Sequence, residues 1–431
     1  MKKAILSVFA LGAVTMFSAQ GTTNDNDVNQ SGNGNTATVN QYGLSEKNNS
    51  VQVGNGNSIN VYQRHQFNET STYQEGQGNA ATSNQGLGSW SNKSYVTQNQ
   101  QGDANSVMAS QNQTYMVVAN QTQAGTSNAA VSVQKSGPRM YVDQIQSGTG
   151  NYAYADQLGD GNQVPTWANN NNILQNQSGN GNWASGLQTG WGNSLEQWQS
   201  GDGNIAGSNQ TGAQNVATQN QSGLGNFAST NQTGDTNSSW QNQLGDGNTA
   251  YSAQDGDNNN SGQSQAGAGN YAIATQDGLS NSSDQNQSGN GNVADVDQLG
   301  DLNDAWQVQG GDGNIAALAQ VGNENTSSQS QYGNGNNSQA NQAGNGNMFT
   351  SVQEGSLNYV LGEQTGNLND SDNLQLGDSN YIYNAQTGTS NASYSAQFGT
   401  ANAATVLQTG TGNMHTGIQS GTGNSIMVTQ H

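Results

Sequence analysis

The feature that most restricts this chain is a repeat of eleven residues. From Gln177 onward a glutamine recurs at Gln188, Gln199, Gln210, Gln221, Gln232, Gln243 and so on to Gln430. Every one from 177 to 419 is followed two positions later by glycine (Gly179, Gly190, Gly201, Gly212, Gly223, Gly234, Gly245). Every one is also followed five positions later by asparagine (Asn182, Asn193, Asn204, Asn215, Asn226, Asn237, Asn248). That makes 23 consecutive units of Q-x-G-x-x-N. A fixed period of this kind is the mark of a repeat architecture and has to be interpreted before any local structure. The period also argues against disorder, since a disordered Gln/Asn-rich polymer needs no phase.

Upstream the spacing loosens. Gln30, Gln41, Gln52, Gln63, Gln74 and Gln85 keep it, but Glu46 stands for an Asn and His65 for a Gly. The phase then slips where the interval lengthens: fifteen residues from Gln85 to Gln100, twelve from Gln111 to Gln123, twelve from Gln134 to Gln146 and twenty from Gln157 to Gln177. Both prolines, Pro138 and Pro165, fall inside slips, where a residue with no N–H to give a ladder is tolerated. The organisation expected is a polar leader at 21–29, an imperfect array at 30–176 and a regular array at 177–431.

Eleven residues can mark a right-handed helical supercoil. One glycine every three turns, each costing about 1 kcal/mol in a helix interior, argues against it without an apolar seam as compensation. Strand parity favours β-structure. Asn to the next Gln is six residues, so both side chains and the two alternate positions between them share one face. The first of those positions is mostly Ala or Ser, as at Ala184, Ala206, Ala217 and Ala250. Because eleven is odd, the Gly-Asp-Gly-Asn segments (201–204, 245–248, 311–314) must reset the parity as turns. Alternate units have the fuller form Q-x-G-x-G-N-x-A, and the others carry a second Gln (Gln197, Gln219, Gln241). The expected fold is all-β: a parallel two-sheet β-solenoid, cross-β-like, with 22 residues and two strand-arc units per coil. Stacked Gln and Asn should form amide ladders, and the repeat glycines should form the arcs.

Composition closes off other classes. Charged residues are 8% of the chain, the formal charge is −21, and no Lys or Arg follows Arg139. A nucleic-acid groove, which needs clustered cations, is not expected. There is no Cys, hence no disulfide or thiol chemistry. His65, His415 and His431 do not cluster, and Asp295 with Asp297 lies in an unbroken repeat without a cleft, so no catalytic residue, cofactor or metal is expected. Lys2 and Lys3, an apolar Ala4 to Phe17 and small residues at 18–19 have the form of a secretory signal peptide over residues 1–20. No later segment is apolar enough to insert into a bilayer.

The Q-x-G-x-G-N-x-A motif, followed eleven residues on by another Gln, resembles the repeat of curlins, the subunits of bacterial curli amyloid fibres. The resemblance covers most of the chain, although this chain has many more units than typical curlins and its N-terminal array slips in phase. It implies a non-enzymatic fibre subunit exported through an outer-membrane curli secretion channel. It further implies nucleation by a nucleator subunit, growth as an extracellular homopolymer (a fimbrium) at the cell surface, and a role in adhesion and biofilm matrix. A monomeric β-solenoid adhesin or ice-binding-type protein is the alternative the residues leave open.

Overall fold

A computed structural model describes residues 4–9, 14–20, 23–86, 91–159 and 171–431. Pro165 and part of the longest slip lie outside them. No helix occurs among the described residues; the chain is strands and arcs. It falls into two compact units, residues 1–220 and 221–431.

Each unit is a parallel β-solenoid. In the second, Asn260–Ala268 lies between Ser238–Asp246 and Ser282–Ser288 in one sheet. Tyr271–Asp277 lies between Thr249–Asp255 and Val293–Leu299 in the other. Every register is 22 residues, so Gln265 sits between Gln243 and Gln287, and Ala272 between Ala250 and Ala294. Burial alternates along each strand as the parity argument requires, with Ala272, Ala274 and Gln276 inward and Tyr271 outward.

The first unit has the same coil with insertions. Glu69–Gln77 pairs with Tyr95–Asp103 across 26 residues, Tyr95–Asp103 with Val118–Thr126 across 23, and Tyr141–Thr149 with Asn172–Asn180 across 31. Register is recovered each time, so Gln74, Gln100, Gln123, Gln146 and Gln177 still stack. The extra residues all enter the arc that leads from the second sheet back to the first. There Ser91–Asn92 pairs with Thr114–Tyr115, and Pro138 bridges Tyr115. The lengthened arcs build a small stack of their own, in which the buried Ser91, Ser94 and Thr114 hydroxyls lie 2.8–3.2 Å from one another, so the strands they join keep their register. Pairing therefore runs in register across residue 176, and Asp25–Ser31, overlapping the expected polar leader, is itself a strand paired with Lys47–Val53. Ala4–Phe9 and Val14–Gln20 also pair, with Asn26–Ser31 and Thr36–Tyr42.

Apolar contacts between the sheets are local. Val142, Ala155, Ile173, Leu195 and Ala217 cluster in the first unit, and Val296, Leu318, Phe349, Val360 and Ile382 in the second. Size is balanced across the gap: a Cβ on Gly362 would overlap the Phe349 ring.

Candidate functional site: amide ladders and arc edges

The interior is lined by amides. Gln177, Gln188, Gln199, Gln210, Asn182, Asn193, Asn204 and Asn215 are buried in the first unit, as are Gln221, Gln232, Gln243, Asn226, Asn237 and Asn248 in the second. Gln265 shows the three kinds of bond a repeat Gln amide makes. Gln265 Oε1 accepts from Gln243 Nε2 at 2.9 Å, and Gln265 Nε2 donates to Gln287 Oε1 at 2.8 Å. Its other N–H crosses to the opposite sheet, meeting Thr249 O at 2.9 Å. The pattern repeats in the first unit, where Gln177 Nε2 donates to Gln199 Oε1 and Tyr152 O, and Gln188 Nε2 to Gln210 Oε1 and Asn172 O. The second Gln column does the same: Gln241 Nε2 donates to Gln263 Oε1 at 2.8 Å and to Ser229 O at 3.0 Å. Glutamine is long enough to reach both the next coil and the facing strand. A buried amide costs about 1–3 kcal/mol per unpaired group, so this closure is what makes an amide-lined interior tolerable.

Asparagine works differently. Asn248 N–H donates to Asn226 Oδ1 at 3.0 Å, so the side chain caps the backbone of the next coil. Its Nδ2 donates to Gly267 O at 2.9 Å, tying side chain to arc. Asn193, Asn204 and Asn215 are capped in the same way by Asn171, Asn182 and Asn193. Asn182, Asn226 and Asn237 hold Gly201, Gly245 and Gly256 through Nδ2. The arc glycines Gly179, Gly190, Gly201, Gly212, Gly223, Gly234 and Gly245 all have φ between 105° and 124°.

A further ladder runs along the arcs. The residue after the first arc glycine accepts a backbone N–H from the preceding coil. Asp202 Oδ1 takes Asn180 N–H at 2.9 Å, Asp246 Oδ1 takes Leu224 N–H at 2.9 Å and Asp312 Oδ1 takes Asn290 N–H at 2.8 Å. Asn334 and Asn345 do the same for Asp312 and Asn323. The signal was the preference for Asp or Asn at that position, which both satisfy through Oδ1.

The outward position after Asn carries large apolar groups. Trp183, Ile205, Tyr271 and Ile315 are exposed, and Phe227 and Val293 are half-buried. Rings meet along it, Tyr359 stacked on Tyr381 at 5.3 Å and Tyr152 tilted against Trp183 at 4.9 Å.

Titratable groups in the repeat are few. Burial holds Asp284, Asp295 and Asp370 above the ordinary carboxylate value, and the neighbouring Asp304, Asp297 and Asp372 add to the shift in turn. His415 faces the interior of the last coil, and burial lowers it. Glu46, fully buried where the repeat has Asn, accepts from Asn68 N–H through Oε2 at 3.1 Å. Burial raises it from 4.5 to about 7, against the lowering effect of Asn68. The folded chain therefore binds this proton more tightly than the unfolded one. The associated stability is complete below pH 4.5 and is lost as pH rises to about 7. Glu46→Asn should thus raise stability at pH 8 by about 3 kcal/mol more than at pH 4, at roughly 1.4 kcal/mol per pKa unit. Urea unfolding midpoints of the two chains at both pH values check this; a gain independent of pH would refute it.

Among the described residues no group of three His, Cys, Asp or Glu side chains converges to hold a metal. No protein-family model matches the sequence, and no curated protein matches it.

Proposed function

We propose that the chain is a curlin-like, non-enzymatic subunit of an extracellular amyloid fibre, serving adhesion and biofilm matrix. In this reading it is exported after loss of residues 1–20, through an outer-membrane secretion channel, and its assembly is started by a nucleator subunit. The observation that carries the reading is the uniform direction of the ladders. In the columns of repeat glutamines Nε2 donates to the Oε1 of the coil that follows, through Gln397 to Gln419 at 2.7 Å and Gln408 to Gln430 at 2.8 Å. In the last coil, Met414–Thr422 and Ser425–Gln430 have strand neighbours on one side only, and Met414, Ile418 and Met427 are exposed. Such an edge presents N–H donors, Asn Oδ1 acceptors and apolar surface in the register that another coil offers from its opposite side. Open strand edges template further strands. Axial addition of copies repeats, between molecules, the bonds already made within one.

Fibre diffraction and thioflavin binding of the purified mature chain test this. The expected result is a meridional reflection near 4.8 Å with dye binding, growing with time. A chain that stays monomeric for days at high concentration would overturn it. Because burial and neighbouring carboxylates raise Asp284, Asp295 and Asp370, their proton-bound forms are favoured in the folded stack, and that advantage is lost as pH rises past their raised pKa values. Fibres should accordingly form faster near pH 4 than near pH 8 at matched salt. Equal rates would remove the carboxylate effect while leaving the fibre reading to the diffraction.

A further inference from the structure

The basic residues are placed with a regularity that stacking does not require. In the first unit, arcs from the second sheet to the first stack directly on one another. Lys93 N–H donates to Gln66 O, Met116 N–H to Asn92 O and Arg139 N–H to Tyr115 O. These arcs carry Arg64, Lys93, Lys135 and Arg139, which are all the Lys and Arg residues after Lys47. The opposite arcs of that unit carry none. Arg64, Lys93 and Lys135 are exposed, Lys135 lying 3.6 Å from Asp156, and between them Phe67, Tyr115 and Met116 expose 45, 39 and 42% of their surface.

In the second unit the arcs of the same type carry the opposite charge. Asp235, Asp255, Asp257, Asp277, Asp301 and Glu324 occupy five successive arcs and no cation accompanies them. These arcs stack through Asn258 N–H to Asp235 O, Ser280 N–H to Asp257 O, Leu302 N–H to Leu279 O and Glu324 N–H to Asp301 O. Leu279, Leu299 and Leu302 expose 49, 49 and 56% among the acids. At about 4.8 Å per coil the basic edge is roughly 14 Å long and the acidic edge roughly 19 Å. Each is an apolar strip bordered predominantly by one sign of charge, Asp156 beside Lys135 being the acid next to the basic edge, and this is the anatomy of a protein–protein contact.

We propose that the basic arc edge of one copy docks laterally on the acidic arc edge of a second copy, Phe67, Tyr115 and Met116 meeting Leu279, Leu299 and Leu302. Opposite charges set the pairing and speed the encounter, while the apolar strips supply contact area. This contact is perpendicular to axial stacking and does not depend on it. Because the charges are exposed, it weakens with salt over the range in which the screening length falls from about 20 Å to about 4 Å.

Two full-length mature variants test it by sedimentation velocity, with β-sheet content checked by circular dichroism. The first, Arg64→Glu, Lys93→Glu and Lys135→Glu, makes the basic edge acidic. The second, Asp255→Lys, Asp277→Lys and Glu324→Lys with Asp257→Asn, makes the acidic edge basic; Asn keeps the backbone bond at 257, as Asn323 does for Asp301. Each variant alone should associate at least tenfold more weakly than the parent, and the parent's association should fall with salt. Mixed, the two should associate with each other, a gain that misfolding cannot produce. Unchanged association of either variant, or no association of the mixture, would overturn the proposal. So would a parent chain that binds anionic lipid vesicles through the basic edge while its self-association ignores both charge reversals. The 4.8 Å reflection should persist in both variants, which separates this contact from axial stacking.

Discussion

Gly245→Ala will unfold the coils around it, and Gly247→Ala, two residues further on, will leave them folded. Both positions belong to one G-D-G motif, yet the structure gives them different tasks. Gly245 has φ 112°, outside the regions open to a side chain, and its added Cβ would overlap Gly267 O, the acceptor from Asn248 Nδ2. Relief would require the coils to part, breaking the strand ladder and the Asn bonds together. The expected loss exceeds about 3 kcal/mol, the upper range for a single strained backbone position. Gly247 has φ 64° and open space where a Cβ would go. Thr236, Asn258, Leu302 and Glu324 hold the equivalent position at 58–61°, so a side chain is accommodated there. The left-handed cost of about 1–2 kcal/mol is partly offset by the reduced freedom of the unfolded chain, leaving about 1 kcal/mol or less. Native-state hydrogen exchange across residues 221–290 distinguishes the two; similar losses at both sites would refute the assignment. The converse change supports the same argument. His65 occupies the first-glycine position at φ 95°, in register with Gly43, and His65→Gly should stabilise the chain by about 1–2 kcal/mol.

The second large effect should come from Gln265→Leu. Leucine is close in volume and more apolar, so a view of the interior as an oily core makes the change harmless. The bonds say otherwise. Without this amide, Gln243 Nε2 loses an acceptor, and Gln287 Oε1 and Thr249 O each lose a donor, in a place water does not enter. At about 1–3 kcal/mol per stranded group the loss is at least about 3 kcal/mol. Gln430→Leu, at the half-exposed outer edge, removes bonds to Gln408 and Met414 that water can replace, and should cost about 1 kcal/mol. Urea unfolding that gave equal losses for the two would show the amides to be packing groups only.

Much of this was legible in the residues. Six positions from Asn to Gln decide which side chains share a face, and an odd period demands a turn in every unit. These are local, covalent facts, and the coil of 22 residues follows from them. The phase slips were visible too, but whether Gln85 to Gln100 or Gln157 to Gln177 broke the stack was not. That depends on whether strands far apart in sequence recover their register, and they do, because the added residues are confined to one type of arc.

What the sequence alone settled, then, is periodicity: strand, arc, and the alignment of like residues one coil apart, all governed by spacing along the chain. The tertiary structure decided which strand faces which. Only that placement sends the second N–H of Gln265 to Thr249 O and turns the arc aspartates into backbone acceptors. Those contacts join residues whose proximity is set by the stacking of whole coils, and spacing within a single repeat carries no record of it.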